Sequence, residues 1–222
     1  MSIRGTKIRN CRLCKSDNLT KIIYFGKIPL GNNLQENFEK AINSEAFELG
    51  VNCCERCKHF QLSYSVNKNK LFAENYTYLS SIGKAFRDHL SWSAEDIISK
   101  LNSKIKNRKN TLVFDIGSND GTALSFFKKK GYNVLGIDPS YLPVQEAKRK
   151  EIPTINTFFS NKKSYEIKKK FGKIDLIISH NVLAHVENFI DVIKGIYNLL
   201  SNEGLFVFEV GYFGKMIEKK NI

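Results

Sequence analysis

Two cysteine pairs, Cys11-Arg-Leu-Cys14 and Cys54-Glu-Arg-Cys57, have a spacing that sets two thiolates on one side of a metal ion. Two such knuckles suit a tetrahedral Zn²⁺. A closed four-cysteine site has no open position for chemistry, so the ion would be structural. The 39 residues between the knuckles exceed the usual ribbon spacing of about 15–20, and the insertion must fold against the rest. Cys53 is left over. It could replace Cys54 in a C-x-x-x-C pair, although the tighter knuckle is favoured. Free buried cysteines or one redox-active pair are the alternatives.

The second constellation is the stretch Val113-Phe-Asp-Ile-Gly-Ser-Asn-Asp-Gly-Thr122, which reads as a strand turning into a helix. A dinucleotide site would place G-x-G-x-x-G there. Here Asn119 stands at the second glycine and the acid Asp120 follows it, and a carboxylate beside a pyrophosphate is repulsive. S-adenosylmethionine (SAM) has no phosphate and presents an ammonium and a sulfonium, which Asp115 and Asp120 match electrostatically. Gly117 and Gly121 let the backbone approach a ligand, with Ser118 and Asn119 between them. Asp138, 21 residues after Gly117, is at the distance expected of a carboxylate that accepts ribose hydroxyls, a feature dinucleotide enzymes share. Phe158 and Phe159 follow the next expected strand and could cover an adenine; ordinary core packing explains either equally well.

The elements that must position these groups alternate. Residues 1–66 carry all five cysteines and read as short strands and turns, the zinc-binding domain. Residues 67–110 form a helical connector, with apolar residues at helix-like spacing from Leu71 to Leu101 and a polar, basic linker at 102–110. Residues 111–222 read as five strands (111–116, 133–138, 153–158, 174–179 and 204–210), with helices at 121–130, 142–150, 161–171 and 189–200. This pattern predicts an α/β fold with a parallel sheet covered on both faces. Ligands then sit at the carboxyl ends of the strands, which here are 115–121, Asp138, 157–159, 179–185 and Glu209.

Composition bounds the rest. The formal net charge is +13, which raises nucleic acid as a partner. The lysines, however, are spread along the chain and cluster where helices should end, as in Lys128–Lys130 before Gly131 and Lys168–Lys170 before Gly172. No basic stripe interleaved with aromatics appears, so nucleic acid is the weaker reading. No uncharged apolar run is long enough to span a bilayer, and Met1–Asn10 lacks the apolar stretch of a secretory signal. A cytoplasmic protein without a membrane partner is expected, and in that compartment cysteines tend to be metal ligands.

Taken in order, the motifs resemble a known family. Cys11-x-x-Cys14, Ile28-Pro-Leu-Gly-Asn32, and Cys54-x-x-Cys57 followed by Gln61-Leu62 are similar to its zinc-binding N-terminal domain. Tyr76-Thr-Tyr-Leu-Ser-Ser81, Ile116-Gly-Ser-Asn-Asp-Gly121, Gly136-Ile-Asp-Pro139 and Asn181-Val-Leu-Ala-His-Val186 are similar to its central domain. The family is the SAM-dependent sugar C-methyltransferases, which act on nucleotide-linked 4-keto deoxysugars. The resemblance implies a class I methyltransferase (Rossmann-like) sheet, structural zinc, and an active site bordered by the Tyr-rich segment, including Ser80 and Ser81, and by the His-containing motif. It also implies a carbon nucleophile: a base removes the proton beside the sugar ketone and the enolate attacks the SAM methyl group. His185 is the implied general acid/base, with Tyr76 or Tyr78 and Asn181 orienting sugar or cofactor. Read from the residues alone, His185 is equally a packed helix-start histidine, and the tyrosines are core or interface aromatics.

The chain departs from the family at Ile82-Gly-Lys-Ala-Phe86, where serines and a tryptophan are usual, and at Gly211, where proline is usual. It stops at Ile222, before the family's C-terminal domain, so the expected sheet is incomplete at its C-terminus and the chain alone is expected to be catalytically weak. Two alternatives follow: a zinc- and SAM-binding fragment or subunit of a split enzyme with a separately encoded C-terminal half, and a basic zinc-ribbon nucleic-acid binder.

Overall fold

The computed structural model describes residues 4–73, 76–101 and 110–218. Around the cysteines, short stretches of strand-type alternation form β1 (Gly5–Lys7), β2 (Leu19–Pro29), β3 (Ala46–Cys54), β4 (Phe60–Leu62) and β5 (Tyr64–Val66). Strands β2, β3 and β4 make an antiparallel sheet, and β1 pairs antiparallel with β5. Helices α1 (Phe38–Ile42) and α2 (Lys68–Phe72) begin after Asn37 and Asn67, whose side chains accept backbone N–H groups of Lys40 and Asn69. These elements form one compact unit, Met1–Tyr78 with Ser140–Leu142 and Glu187–Ile190.

The second unit takes in Leu79–Pro139, Pro143–Val186 and Asp191–Ile222. It holds α3 (Lys84–Leu101), β6 (Leu112–Ile116), α4 (Thr122–Lys129), β7 (Asn133–Asp138), most of α5 (Tyr141–Arg149), β8 (Thr154–Asn156), α6 (Asn161–Phe171), β9 (Ile174–His180), most of α7 (Phe189–Leu199), β10 (Leu200–Glu209) and α8 (Phe213–Glu218). Its five strands are all parallel, in the order β10-β9-β6-β7-β8. The chain runs outward from β6 through β7 to β8, then returns to the other side of β6 for β9 and β10. The order therefore reverses between β6 and β9, and that crevice is where an open α/β sheet binds its ligand.

Packing explains the apolar runs. Val113, Phe114, Ile174, Leu176, Ile177 and Ile178 are wholly buried because both faces of β6 and β9 are covered. Helix α3, within the stretch read as a connector, buries Leu90, Ala94, Ile97, Ile98 and Leu101, a single stripe at helical spacing. They join Val113, Leu124 and Phe127 in the core. The expected strand at 204–210 begins earlier, at Leu200, with an irregular register between Leu200 and Leu205. The linker expected at 102–110 lies, except for Asn110, outside the described residues, as does Lys219-Lys-Asn221.

The clustered lysines do end helices. Lys128 and Lys129 occupy the last turn of α4, and Lys168, Lys169 and Lys170 that of α6, with Gly172 capping at φ +77°. Much of the positive charge thus offsets helix C-terminal dipoles. Among the described residues, no helix is long and apolar enough to cross a membrane.

Candidate active site and metal centre

The four predicted ligands converge. The sulfurs of Cys11, Cys14, Cys54 and Cys57 all lie within 4.8 Å of one another, with Cys11–Cys57 and Cys14–Cys54 at 3.5 Å. A tetrahedron with zinc–sulfur bonds of about 2.3 Å has sulfurs about 3.8 Å apart, so the cluster is the right size for Zn²⁺. Two matching turns build it. The Lys15 N–H donates to the Cys11 carbonyl and the Lys58 N–H to the Cys54 carbonyl, with Lys15 and Lys58 both left-handed at φ +65° and +59°. Gln61, buried on β4, donates to the Asn10 carbonyl and accepts from the Arg12 N–H, which anchors the first knuckle. The Cys57 backbone N–H is the main cause that brings the Cys54 thiol down to about 7, in the range where a metal readily takes the thiolate. Cys53 is buried and donates to the Cys54 carbonyl. It is no part of the cluster, which settles the choice between Cys53 and Cys54.

At the carboxyl end of β6 the chain turns through Gly117 (φ +74°), Asn119 (φ +50°) and Gly121 (φ +72°). A side chain at Gly117 would overlap Val182, which comes from the loop after β9. The Gly117 N–H and Ser118 N–H both donate to the Ile137 carbonyl of β7, and the Asn119 N–H donates to Asp138 Oδ2 at 2.9 Å. Asp115 and Asp138 are thereby held together at the ends of adjacent strands, both buried. Burial first, and the Asp138 charge second, push the Asp115 carboxyl well above the usual carboxylate range. Asp115 Oδ1 and Ser118 Oγ are buried without a protein partner. Buried polar atoms of that kind fit a ligand that brings hydrogen-bond donors and positive charge.

Asp120 has a different job from the one its position in the sequence suggested. Its side chain is fully buried and its oxygens are engaged by protein groups. Oδ1 accepts from the Thr122 N–H and Oγ1, and Oδ2 from the Ser81 N–H and from Lys150 Nζ at 2.9 Å. Burial pushes its carboxyl up, but these donors outweigh it and hold the group below its usual range. Its carboxylate takes the first N–H of α4 and ties down the Ser80–Ser81 segment. Asn119 Oδ1 helps, accepting the Ser80 N–H at 2.8 Å. Gly121 must accommodate this turn, and a Cβ there would meet Ile152 at 3.0 Å. Gly121→Ala should lower stability by about 1–2 kcal/mol for the left-handed φ alone; a denaturant midpoint equal to that of the unmodified protein would show that the turn is not constrained.

The ring of Phe159 packs on Phe114, centroids 5.8 Å apart, and on the Gly195 position of α7. Its ring is half-buried there. Phe158 remains half-buried at the carboxyl end of β8.

On the β9 side, Asn181 is left-handed at φ +56°, and His185 ends a short 3₁₀ turn, Leu183–His185. Desolvation lowers the His185 pKa and favours the neutral imidazole at neutral pH. Asn181 Nδ2 donates to Glu209 Oε1 at 2.9 Å, and its N–H donates to the Glu209 carbonyl. The other carboxylate oxygen, Oε2, meets His89 Nε2 from α3. His180 pairs in register with Glu209, and its Nε2 lies 3.3 Å from Ser93 Oγ. Neither His89 nor His180 was singled out from the sequence. Tyr76 and Tyr78 belong to the first unit, where their rings lie 6.4 Å apart and Tyr76 packs on Phe72 at 5.7 Å.

Comparison with known proteins follows the same division. Residues 86–215 match the family described as "Methyltransferase domain", and residues 11–72 the family described as "Putative zinc binding domain". The C-methyltransferase NovU of Streptomyces niveus is 28% identical over 211 residues, covering 95% of this chain and 49% of that protein. The chain therefore spans about half the length of the curated relative it matches. The structure of the plantazolicin methyltransferase BpumL in complex with SAH aligns at a TM-score of 0.50 and 22% identity, over 60% of this chain and 51% of that one. DesVI of Streptomyces venezuelae aligns at 0.44 and 17% identity, over 57% and 52%.

Proposed function

The chain belongs to the methyltransferase-domain family, and from that premise we propose that it transfers a methyl group from SAM to carbon in a nucleotide-linked 4-keto deoxysugar. One observation carries the cofactor assignment: the unpartnered, buried Asp115 Oδ1 and Ser118 Oγ beside Asp138, at the point where the strand order reverses. A dinucleotide would bring its pyrophosphate to a turn that already holds two carboxylates. A sulfonium and an ammonium relieve the same crowding. The similarity to a C-methyltransferase along nearly the whole chain, with the motifs from Tyr76 to His185, supports carbon as the acceptor.

When bound, SAM supplies an electrophilic methyl group. In this reading Asp138 accepts the ribose hydroxyls, and Asp115 with the Gly117–Asn119 backbone holds the amino-acid end. Asn181 and His185, across the β6–β9 crevice, face the acceptor. His185 carries acid/base work as a neutral imidazole, the form in which it can take a proton. The structural zinc holds the N-terminal unit and takes no part in the transfer.

Calorimetry tests the cofactor step. SAM or its demethylated product should bind and NAD should not, and Asp138→Ala should weaken SAM by about 1.5–3 kcal/mol, the usual value for hydrogen bonds to a charged group. Tighter binding of NAD than of SAM would overturn the assignment. Transfer of labelled methyl to a thymidine-diphosphate-linked 4-keto-6-deoxyhexose, read as a carbon-bound methyl by NMR, tests the acceptor.

A further inference from the structure

We propose that Lys150 is a positioning residue of the cofactor site: through the buried carboxylate of Asp120 it fastens the Leu79–Ser81 segment to the cofactor turn and so sets the affinity for SAM. The inference rests on the SAM reading of that turn. All the groups involved belong to the second unit. Two successive N–H groups of the segment donate to two successive side chains of the turn, Ser80 to Asn119 Oδ1 at 2.8 Å and Ser81 to Asp120 Oδ2 at 3.1 Å. The Ser81 carbonyl accepts from Arg87 Nη1 of α3, so this short stretch is held on both edges. Asn119 carries the connection onward. Left-handed at φ +50°, it also donates its N–H to Asp138 Oδ2, on the carboxylate assigned to the ribose. The segment, the turn and Asp138 thus form one hydrogen-bonded chain.

That chain depends on a charge held away from water. The Asp120 side chain is 0% exposed, and burying a carboxylate is costly unless a cation and hydrogen-bond donors meet it. Four donors do: the Thr122 N–H and Oγ1 on Oδ1, and the Ser81 N–H and Lys150 Nζ on Oδ2. Lys150 is the cation among them. It stands one residue beyond α5, where the helix dipole already favours positive charge. Thr122 Oγ1 anchors it a second time, accepting from Nζ at 3.2 Å. Without Lys150 the carboxylate must take up water or a proton. Either change loosens its grip on the Ser81 N–H, which shares Oδ2 with the ammonium. The two effects of removing Lys150 have opposite signs. SAM is cationic, so by charge alone the loss of a nearby lysine tightens its binding. Loss of the fastening weakens it.

Calorimetry with SAM on the full chain reads that sign. Lys150→Met should bind SAM at least about tenfold more weakly than the unmodified protein, the order expected when a hydrogen bond to a charged group is lost. Lys150→Arg keeps the charge and should recover most of the affinity. Lys148→Met removes a lysine exposed on the same helix and should leave the affinity unchanged. Amide exchange without ligand localises the cause. In Lys150→Met the Ser80 and Ser81 amides should exchange faster while those of β6 stay protected, which a general loss of stability would not produce. Ser81→Pro deletes the donated N–H and leaves the ion pair in place, so it should weaken SAM to a similar degree even where Lys150→Met does not fold. Either variant binding SAM as tightly as the unmodified protein, or more tightly, overturns the positioning role alone. An unmodified protein that binds no SAM overturns the cofactor reading and the positioning role with it.

Discussion

Cys54→Ser is expected to abolish zinc binding and unfold the N-terminal unit. The unit has little else to hold it. Its three-stranded sheet leaves Ile22, Tyr24, Phe25, Ile28, Phe60 and Leu62 exposed, and its buried apolar residues are few beyond Phe47, Val51 and the cysteines. Structural zinc contributes apparent binding energies of about 10–16 kcal/mol, as large as the whole stability of a typical domain at about 5–15 kcal/mol. Loss of one thiolate therefore removes the main source of order. Amide exchange along β2 and β3 should become rapid, and metal analysis should show less than one equivalent. Cys53→Ser gives the contrast, because Cys53 is outside the cluster and should keep its zinc. Chelation of the unmodified protein should lower its melting temperature in the same direction. A Cys54→Ser protein with a full equivalent of zinc and protected β3 amides would show that the four sulfurs are not a metal site.

Much of this could be read in the sequence because it depends on local chemistry. The two knuckles declare themselves by a spacing of two, and the parallel sheet by runs such as Leu176-Ile-Ile178 that are apolar without a break. Asp138 was placed by counting from Gly117. What could not be read depended on partners far along the chain. Asp120 looks like a ligand carboxylate until Lys150 and the Ser81 N–H are seen to occupy it, 30 and 39 residues away. Phe159 was ambiguous because its fate depends on a gap beside Gly195. The His89–Glu209 pair joins residues 120 apart; only Glu209's position at a strand end gave a hint, and no local pattern marks His89. Helix α3 read as a connector because a helix with one buried stripe looks the same whether it bridges two domains or covers one face of a sheet.

Asp115→Asn is expected to make the protein more stable and a poorer binder of SAM at once. At neutral pH the buried carboxyl of Asp115 lacks a protein partner for Oδ1 and faces Asp138, and both facts disfavour its charge. Its folded-state pKa is thus raised above the unfolded value of about 4. The sign follows from linkage: the folded state binds more protons than the unfolded one between those two pKa values, so stability falls as pH rises through that window. Asparagine has nearly the same shape and no charge to bury. It should restore about 1–3 kcal/mol, the order of an uncompensated buried polar group. The gain in melting temperature should therefore be present at pH 7 and shrink as pH falls, vanishing below about pH 4, where Asp115 becomes protonated in both states. With cofactor the order reverses. In the proposed site Asp115 meets a cationic ligand away from water, and removing one partner of such a pair costs about 2–5 kcal/mol. Calorimetry should show SAM affinity falling by more than about tenfold in the variant that melts higher without ligand. The strain that Asp115 places on the empty fold would then be the measure of what the cofactor relieves. A variant that melts lower at neutral pH, or that binds SAM as tightly as the unmodified protein, would show that Asp115 supports the fold and not the ligand.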